Sequence, residues 1–213
     1  MEQFINTLKA ELQKTLPGST TQFMMAPFNR SKVDLEKLSS SDYKLSAVML
    51  LFCLDQRNNW FLPLTERYNY LGVHSGQISL PGGKFDATDG TTENTAIREC
   101  YEEIGVKDGI KIIGRLTSLF IPVSGFLVEP FVGIITEKDP LFIANEREVK
   151  NIIRFQITDL LNHESVKDGS IELPGEAKSL KIKTPYFSLG NHKIWGATAM
   201  ILNELKAVIK PIF

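Results

Sequence analysis

The order of elements along the chain predicts an α/β/α sandwich around a mixed β-sheet. Two observations carry that prediction. Ala47 to Leu54 reads Ala-Val-Met-Leu-Leu-Phe-Cys-Leu, an unbroken apolar run of strand length, as expected of a central strand covered on both faces. Helical apolar periodicity stands at both ends of the chain and again over an acidic segment between the strands. With 213 residues, 43% hydrophobic and 23% charged, the chain is long enough for one well-buried core.

In order, Phe4, Ile5, Leu8, Leu12 and Leu16 fall at helical intervals, and Pro17-Gly18 ends that run. Residues 19–44 read as a loop-rich connection. The first 45 residues are therefore expected to form a helix and connecting segment that pack on a body formed by residues 46–213. The apolar run of Ala47–Leu54, a turn at Asp55–Asn59 and a second strand over Trp60–Arg67 make a hairpin. Residues 111–120 and 126–136 read as two further strands, and 151–157 as another. Thr158 is the expected cap of a short helix ending at Leu161. Residues 163–180 suit a loop or exposed hairpin, Lys181–Leu189 a strand and Asn191–Trp195 its return. Ala197–Ile209 closes the chain as a helix with Met200, Ile201, Leu205 and Val208 inward.

A net charge of −1 argues against a nucleic-acid scaffold or an anionic membrane surface as partner. No run approaches a membrane span, and the first sixteen residues have no apolar leader core, so the cytoplasm is the expected location. Cys53 and Cys100 both lie in apolar settings and read as small, reduced core residues. His163 and His192 carry no evident chemistry.

The chemistry concentrates in residues 81–106. A glycine pair, Gly82-Gly83, precedes a polar turn. A helix follows, capped by Thr91 or Thr92, with Ala96, Ile97, Cys100 and Ile104 on its apolar face and Gly105 at its stop. Glu99, Glu102 and Glu103 stand at i, i+3 and i+4, so three carboxylates project from one turn. Like charges at that spacing cost a helix about 0.2–0.5 kcal/mol per pair. A hard divalent cation removes the cost, because it prefers carboxylate oxygens.

This stretch resembles the signature of the Nudix hydrolases: a glycine, five residues, a glutamate, seven residues, then Arg-Glu-apolar-x-Glu-Glu-x-Gly-apolar. The chain matches at Gly83, Arg98, Glu99, Cys100, Glu102, Glu103, Gly105 and Val106. It departs at the first acidic position, which holds Asp89, eight residues before Arg98. The resemblance implies a Nudix-type sandwich with the acidic helix on the sheet. It also implies Mg²⁺ or Mn²⁺ held by Glu99, Glu102 and Glu103 with the Gly83 carbonyl, and Arg98 orienting the carboxylates by pairing with one of them. The water's proton is expected to go to Glu102, with Glu146 and Glu148 as loop alternatives.

Leu64-Thr65-Glu66-Arg67, followed by His74-Ser75-Gly76-Gln77-Ile78-Ser79-Leu80-Pro81-Gly82-Gly83, is similar to the coenzyme A pyrophosphatase branch of that family. Pro122–Phe126, Asn145–Val149 and Ile194–Ala199 fit the same branch, in which the extra residue before Arg98 is usual. The branch implies a small-molecule, coenzyme A-like nucleotide substrate met by Arg67, His74, Gly82, Lys84 and Ser124, in a monomer or homodimer. Arg115 is a further cation available to a phosphate, and Trp195 an aromatic surface available to an adenine. ADP-ribose, dinucleotides and nucleoside triphosphates are the alternative substrates. A non-catalytic nucleotide sensor is the alternative class, disfavoured because all three glutamates are present.

Overall fold

A computed structural model of the protein describes residues 1–68, 77–106, 108–173 and 180–213. The chain opens with helix α1 (Glu2–Leu12) and the single turn α2 (Ser19–Gln22), then enters strands β1 (Lys44–Leu54), β2 (Trp60–Arg67), β3 (Ile78–Ser79) and β4 (Gly82–Lys84). Helix α3 (Thr92–Ile104) follows, then β5 (Ile110–Arg115), β6 (Leu119–Ile121), β7 (Phe126–Lys138) and β8 (Val149–Gln156). The last elements are α4 (Ile157–Leu161), β9 (Val166–Leu173), β10 (Leu180–Leu189), β11 (His192–Ile194) and α5 (Gly196–Ile209).

Eight of these strands form one mixed sheet with the path β3-β2-β1-β7-β5, to which β4 is added on β1, β6 on β7 and β8 on β2. The hinge of that sheet is β1, parallel to β7 and antiparallel to β2 and β4. Its alternation separates two cores. Ala47, Met49, Leu51 and Cys53 meet Ala96, Cys100 and Ile104 of α3. Leu50 and Phe52 face the other way, into a larger core with Leu8 and Leu12 of α1 and Ala199, Met200, Leu202 and Leu205 of α5. A strand buried on both faces has no solvent side, so no polar residue interrupts its sequence between Ala47 and Leu54. The predicted sandwich is therefore present. A second, three-stranded sheet runs β11-β10-β9. Among the described residues no helix is long and apolar enough to cross a membrane.

Several sequence expectations need correction. Helix α1 stops at Leu12, although the apolar spacing continues to Leu16. Leu16 precedes a proline, whose ring pushes the preceding residue out of the helical region, and it packs on the core from outside the helix. The segment 19–44, expected to be loop-rich, holds α2 and 3₁₀ turns at Phe23–Met25 and Leu35–Lys37. The strand expected over 111–120 is two strands, because its partner β7 presents Pro130 at the break. Leu116 N–H donates to the Pro130 carbonyl at 2.9 Å, and proline has no N–H to return. The next residue leaves the ladder: Thr117 Oγ1 donates to Glu204 Oε1 at 2.6 Å, and its N–H to the same carboxylate at 3.3 Å. Thr158 does not cap α4. That helix starts at Ile157 directly from β8, and burial of Ile157 and Leu160 holds it rather than a side-chain cap. Of the loop and the hairpin expected over 163–180, the hairpin fits: Val166–Leu173 is a regular strand paired antiparallel with β10.

The N-terminal segment is tied to the body through the same Glu204, a fully buried carboxylate on α5. Besides Thr117, it accepts from Gly18 N–H at 3.1 Å and from Gln22 Nε2 at 2.8 Å. Asn203 beside it donates to the Thr21 carbonyl at 2.7 Å. A buried anion is tolerated when several donors replace its water shell, and here those donors come from two distant parts of the chain.

Candidate active site

Helix α3 begins where Thr91 accepts a hydrogen bond from the Asn94 N–H at 3.2 Å, which makes Thr91 the cap of the two candidates. It ends at Gly105, which adopts φ 76° and whose missing side chain leaves room for Ile143. The 141–148 loop docks on this end. Ile143 N–H donates to the Ile104 carbonyl at 2.9 Å and Asn145 N–H to the Glu103 carbonyl at 3.1 Å, pairing carbonyls that a helix terminus leaves open.

The glycine pair lies in β4, against β1, with Gly83 opposite Ala47 and Gly82 opposite Val48. A Cβ on Gly82 would sit 2.3 Å from the Ala47 carbonyl oxygen and 2.6 Å from Val48 Cα, so backbone packing alone demands glycine there. A Cβ on Gly83 would sit 2.3 Å from Glu99 Oε1. The Glu99 carboxylate thus lies directly over the Gly83 backbone, in space that any side chain would fill.

The three glutamates are held differently. Arg98 Nη1 donates to Glu99 Oε1 and to Glu102 Oε2, each at 2.8 Å. Its Nε and Nη2 grip both oxygens of Asp89 at 2.8 and 3.1 Å, and Nη2 also reaches the Lys84 carbonyl at 3.1 Å. The expectation was one carboxylate partner for Arg98; it has three. The hydrogen bond to Arg98 holds the Asp89 carboxyl well below the usual carboxylate range, and the same bond holds the guanidinium firmly protonated. Asp89 also takes the Thr95 hydroxyl at 2.7 Å and the Asp86 N–H at 3.1 Å. Asp89 is a positioning residue whose part the sequence reading did not assign. The Asp86-x-x-Asp89 spacing of a capping box was its visible signal.

Glu103 points inward. Its side chain is 2% exposed, its Oε1 meets Arg67 Nη2 at 3.2 Å, and its Oε2 accepts the Gly82 N–H at 3.2 Å. Burial pushes its carboxyl up to about 7, with Arg67 opposing the shift and the charges of Glu99 and Glu148 adding to it. Burial likewise raises Glu99, against the pull of Arg98. Glu148 is exposed on the docked loop, and its charge acts on both Glu99 and Glu103. Glu102 is about half exposed. Glu146 is also exposed on that loop.

Of the remaining predicted residues, Lys84 is exposed at the end of β4, beside Gly83. Ser124 lies in the turn between β6 and β7, where its N–H donates to the Ile121 carbonyl at 3.2 Å. Arg115 is exposed at the end of β5, and Trp195 is half-buried just ahead of α5. His74 lies outside the described residues.

The donor set suits a hard divalent cation: carboxylate oxygens, a glycine backbone cleared of side chains, and a buried carboxylate in need of positive charge. Among the described residues no three acidic side chains already surround one point. Arg98 occupies one oxygen of Glu99 and one of Glu102, in the manner of a scaffold that keeps three like charges on one turn.

Comparison with known proteins identifies the family. The NUDIX domain profile matches residues 43–172. The uncharacterized Nudix hydrolase NudL of Yersinia pestis (strain Pestoides F) is 26% identical over 197 residues, covering 87% of this chain and 94% of that protein. NudL of Yersinia pseudotuberculosis serotype O:1b (strain IP 31758) matches to the same extent. A MutT/nudix family protein from Enterococcus faecalis shares the fold, with a TM-score of 0.53, 20% identity and coverage of 85% of this chain and 66% of that one. RenU, a Nudix hydrolase from M. smegmatis, has a TM-score of 0.50 at 13% identity, covering 89% of this chain and 95% of its own. The chain belongs to the Nudix family, and it is a pyrophosphohydrolase.

The raised Glu103 carboxyl makes a pH prediction. Its folded value of about 7 exceeds the usual 4.5, so between these values the folded protein holds a proton that the unfolded chain has lost. That contribution is complete below the lower value and is lost as pH rises through the upper one. Metal-free protein should therefore lose thermal stability from about pH 5 to about pH 8, and Glu103→Gln should flatten the decline. Thermal melts in chelator check this; equal slopes for the wild type and Glu103→Gln would contradict it.

Proposed function

We propose that this protein uses Mg²⁺ or Mn²⁺ to hydrolyse the diphosphate linkage of coenzyme A or an acyl derivative. The products are 3′-phospho-AMP and the 4′-phosphopantetheine fragment. One observation carries the reading. The two stretches that resemble the coenzyme A branch, Leu64–Arg67 and the run ending in Gly82-Gly83, meet on one carboxylate: Arg67 and the Gly82 N–H each bond Glu103. Residues 46–213 are the catalytic domain in this reading, and residues 1–45 buttress it.

Glu99, Glu102, Glu103 and the Gly83 carbonyl are the residues that hold the metal. A divalent cation held there supplies charge neutralisation of the diphosphate, an activated water and stabilisation of the leaving oxygen. The water oxygen bonds to one phosphorus, the bridging P–O bond breaks, and the leaving phosphate keeps the bridging oxygen. Arg98 keeps Glu99 and Glu102 in place throughout. Glu102, the most exposed of the three, takes the water's proton, and Glu148 on the docked loop is the alternative. Arg67, His74, Gly82, Lys84 and Ser124 form the substrate-binding set. A 3′-phosphate needs an additional cation or N–H donors, and Lys84 beside the glycine pair is the nearest of the candidates in sequence.

The substrate is tested by comparing kcat/KM for coenzyme A, 3′-dephospho-coenzyme A and ADP-ribose, with Glu99→Gln as the control. Coenzyme A should be preferred, and the control should lose at least about a hundredfold in kcat. Preference for ADP-ribose by about tenfold, or about 1.4 kcal/mol, would remove the coenzyme A assignment. The proton acceptor is tested by pH–rate profiles. Glu102→Gln should lose the acidic limb of kcat/KM while Glu148→Gln retains it; the reverse result moves the role to Glu148.

A further inference from the structure

Arg98 and Arg67 both serve the carboxylate turn, and among the described residues they differ in how closely each meets its carboxylates. Arg98 is gripped by both oxygens of Asp89 and by the Lys84 carbonyl, and its side chain is 29% exposed. Arg67 meets Glu103 through Nη2 alone, at 3.2 Å. A charge-assisted bond of this kind is ordinarily about 2.7–2.9 Å, so the contact is a loose one. The arginine side chain is 31% exposed while its partner is 2% exposed, so solvent reaches the cation but hardly reaches the anion.

The backbone that carries Arg67 is fixed. Its N–H donates to the Gln77 carbonyl at 3.1 Å, and it ends β2 at a register slip, where Glu66 pairs with Asn151 and Arg67 with Val149. Lys150, the residue passed over by that slip, takes Glu66 at 2.6 Å. This neighbouring carboxylate is thereby removed as a competitor for Arg67. Phe61 on the same strand faces α3, and strand alternation places Arg67 on that side as well. Among the described residues, the charges of Glu99 and Glu148, both negative, also act on Glu103. Arg67 is thus, among the described residues, the positive side chain that meets the most buried glutamate of a site whose glutamates are the proposed metal ligands.

We propose that Arg67 is a placeholder for the metal: it neutralises Glu103 while the site is empty of cation and is transferred to the diphosphate of the substrate when a cation takes Glu103. The inference rests on the metal-dependent reading above but not on which diphosphate is the substrate. The fork geometry of a guanidinium suits two phosphate oxygens better than the single oxygen it meets here. The Gly82 N–H bonded to Glu103 Oε2 keeps that carboxylate aimed at the glycine pair after the arginine leaves.

A mere prop and a placeholder have opposite effects on metal affinity. Titration of the full chain with Mn²⁺ alone, without substrate, should show Arg67→Gln binding the ion at least about fivefold more tightly than wild type, because a competing cation is gone. Arg67→Lys, which keeps the charge, should bind Mn²⁺ within about twofold of wild type and covers the case in which the glutamine variant does not fold. With a hydrolysed diphosphate substrate, both variants should raise KM by a larger factor than they lower kcat. Unchanged or weaker Mn²⁺ binding by Arg67→Gln overturns the exchange and makes Arg67 a structural prop. An unchanged KM in both variants overturns the transfer to substrate. Wild-type protein that binds no Mn²⁺ overturns the metal reading itself, and the exchange with it.

Discussion

Three carboxylates, Asp89, Glu99 and Glu102, meet on one guanidinium, and the balance between their repulsion and Arg98 organises the site around them. Arg98 reaches Asp89, Glu99 and Glu102 together with the Lys84 carbonyl, which links the turn before α3, the helix itself and strand β4. Removing that one cation would leave adjacent like charges on a single helical turn, and partly buried ones repel more strongly than exposed ones. The remaining glutamate, Glu103, is beyond its reach and is met by Arg67 from β2. The site therefore depends on two arginines from different elements, one clamped by Asp89 and one meeting Glu103 through a single long contact.

The sheet makes that arrangement possible. Because β1 pairs with β4 on one stretch and with β7 along nearly its whole length, the glycine pair is set at a fixed distance from the helix that packs on the same face. Glycine at 82 allows the backbones to approach, and glycine at 83 lets the Glu99 carboxylate lie over the chain. On the opposite face α5 and the N-terminal segment close the second core, with Glu204 joining Gly18, Gln22 and Thr117. The two faces have different duties: one positions charge, and the other supplies the burial that keeps the sheet rigid.

What the residues disclosed follows the range of the forces involved. The double-faced strand, the acidic helix, its glycine stop and the terminal helix are local patterns, and each stands where its pattern places it. The break after Leu116 was not legible as such, because it depends on Pro130 across the ladder and on Glu204 some ninety residues away. Asp89 was legible as a departure from the family pattern but not as a clamp, since its partners Thr95 and Arg98 become neighbours only once the helix forms. The inward turn of Glu103 has the same cause: spacing alone puts three glutamates on one side, while the Gly82 N–H and Arg67 draw one of them under the sheet.

The Glu99–Glu103 turn and the Gly83 backbone together are proposed as a divalent-cation site. Anomalous diffraction from crystals grown with Mn²⁺ tests it most directly. A peak is expected bonded to carboxylate oxygens of Glu99 and Glu103 at about 2.0–2.3 Å, close to the Gly83 carbonyl, and abolished in Glu99→Gln. A Mn²⁺ peak held elsewhere on the chain, with this turn still closed on Arg98 and Arg67 alone, would contradict it.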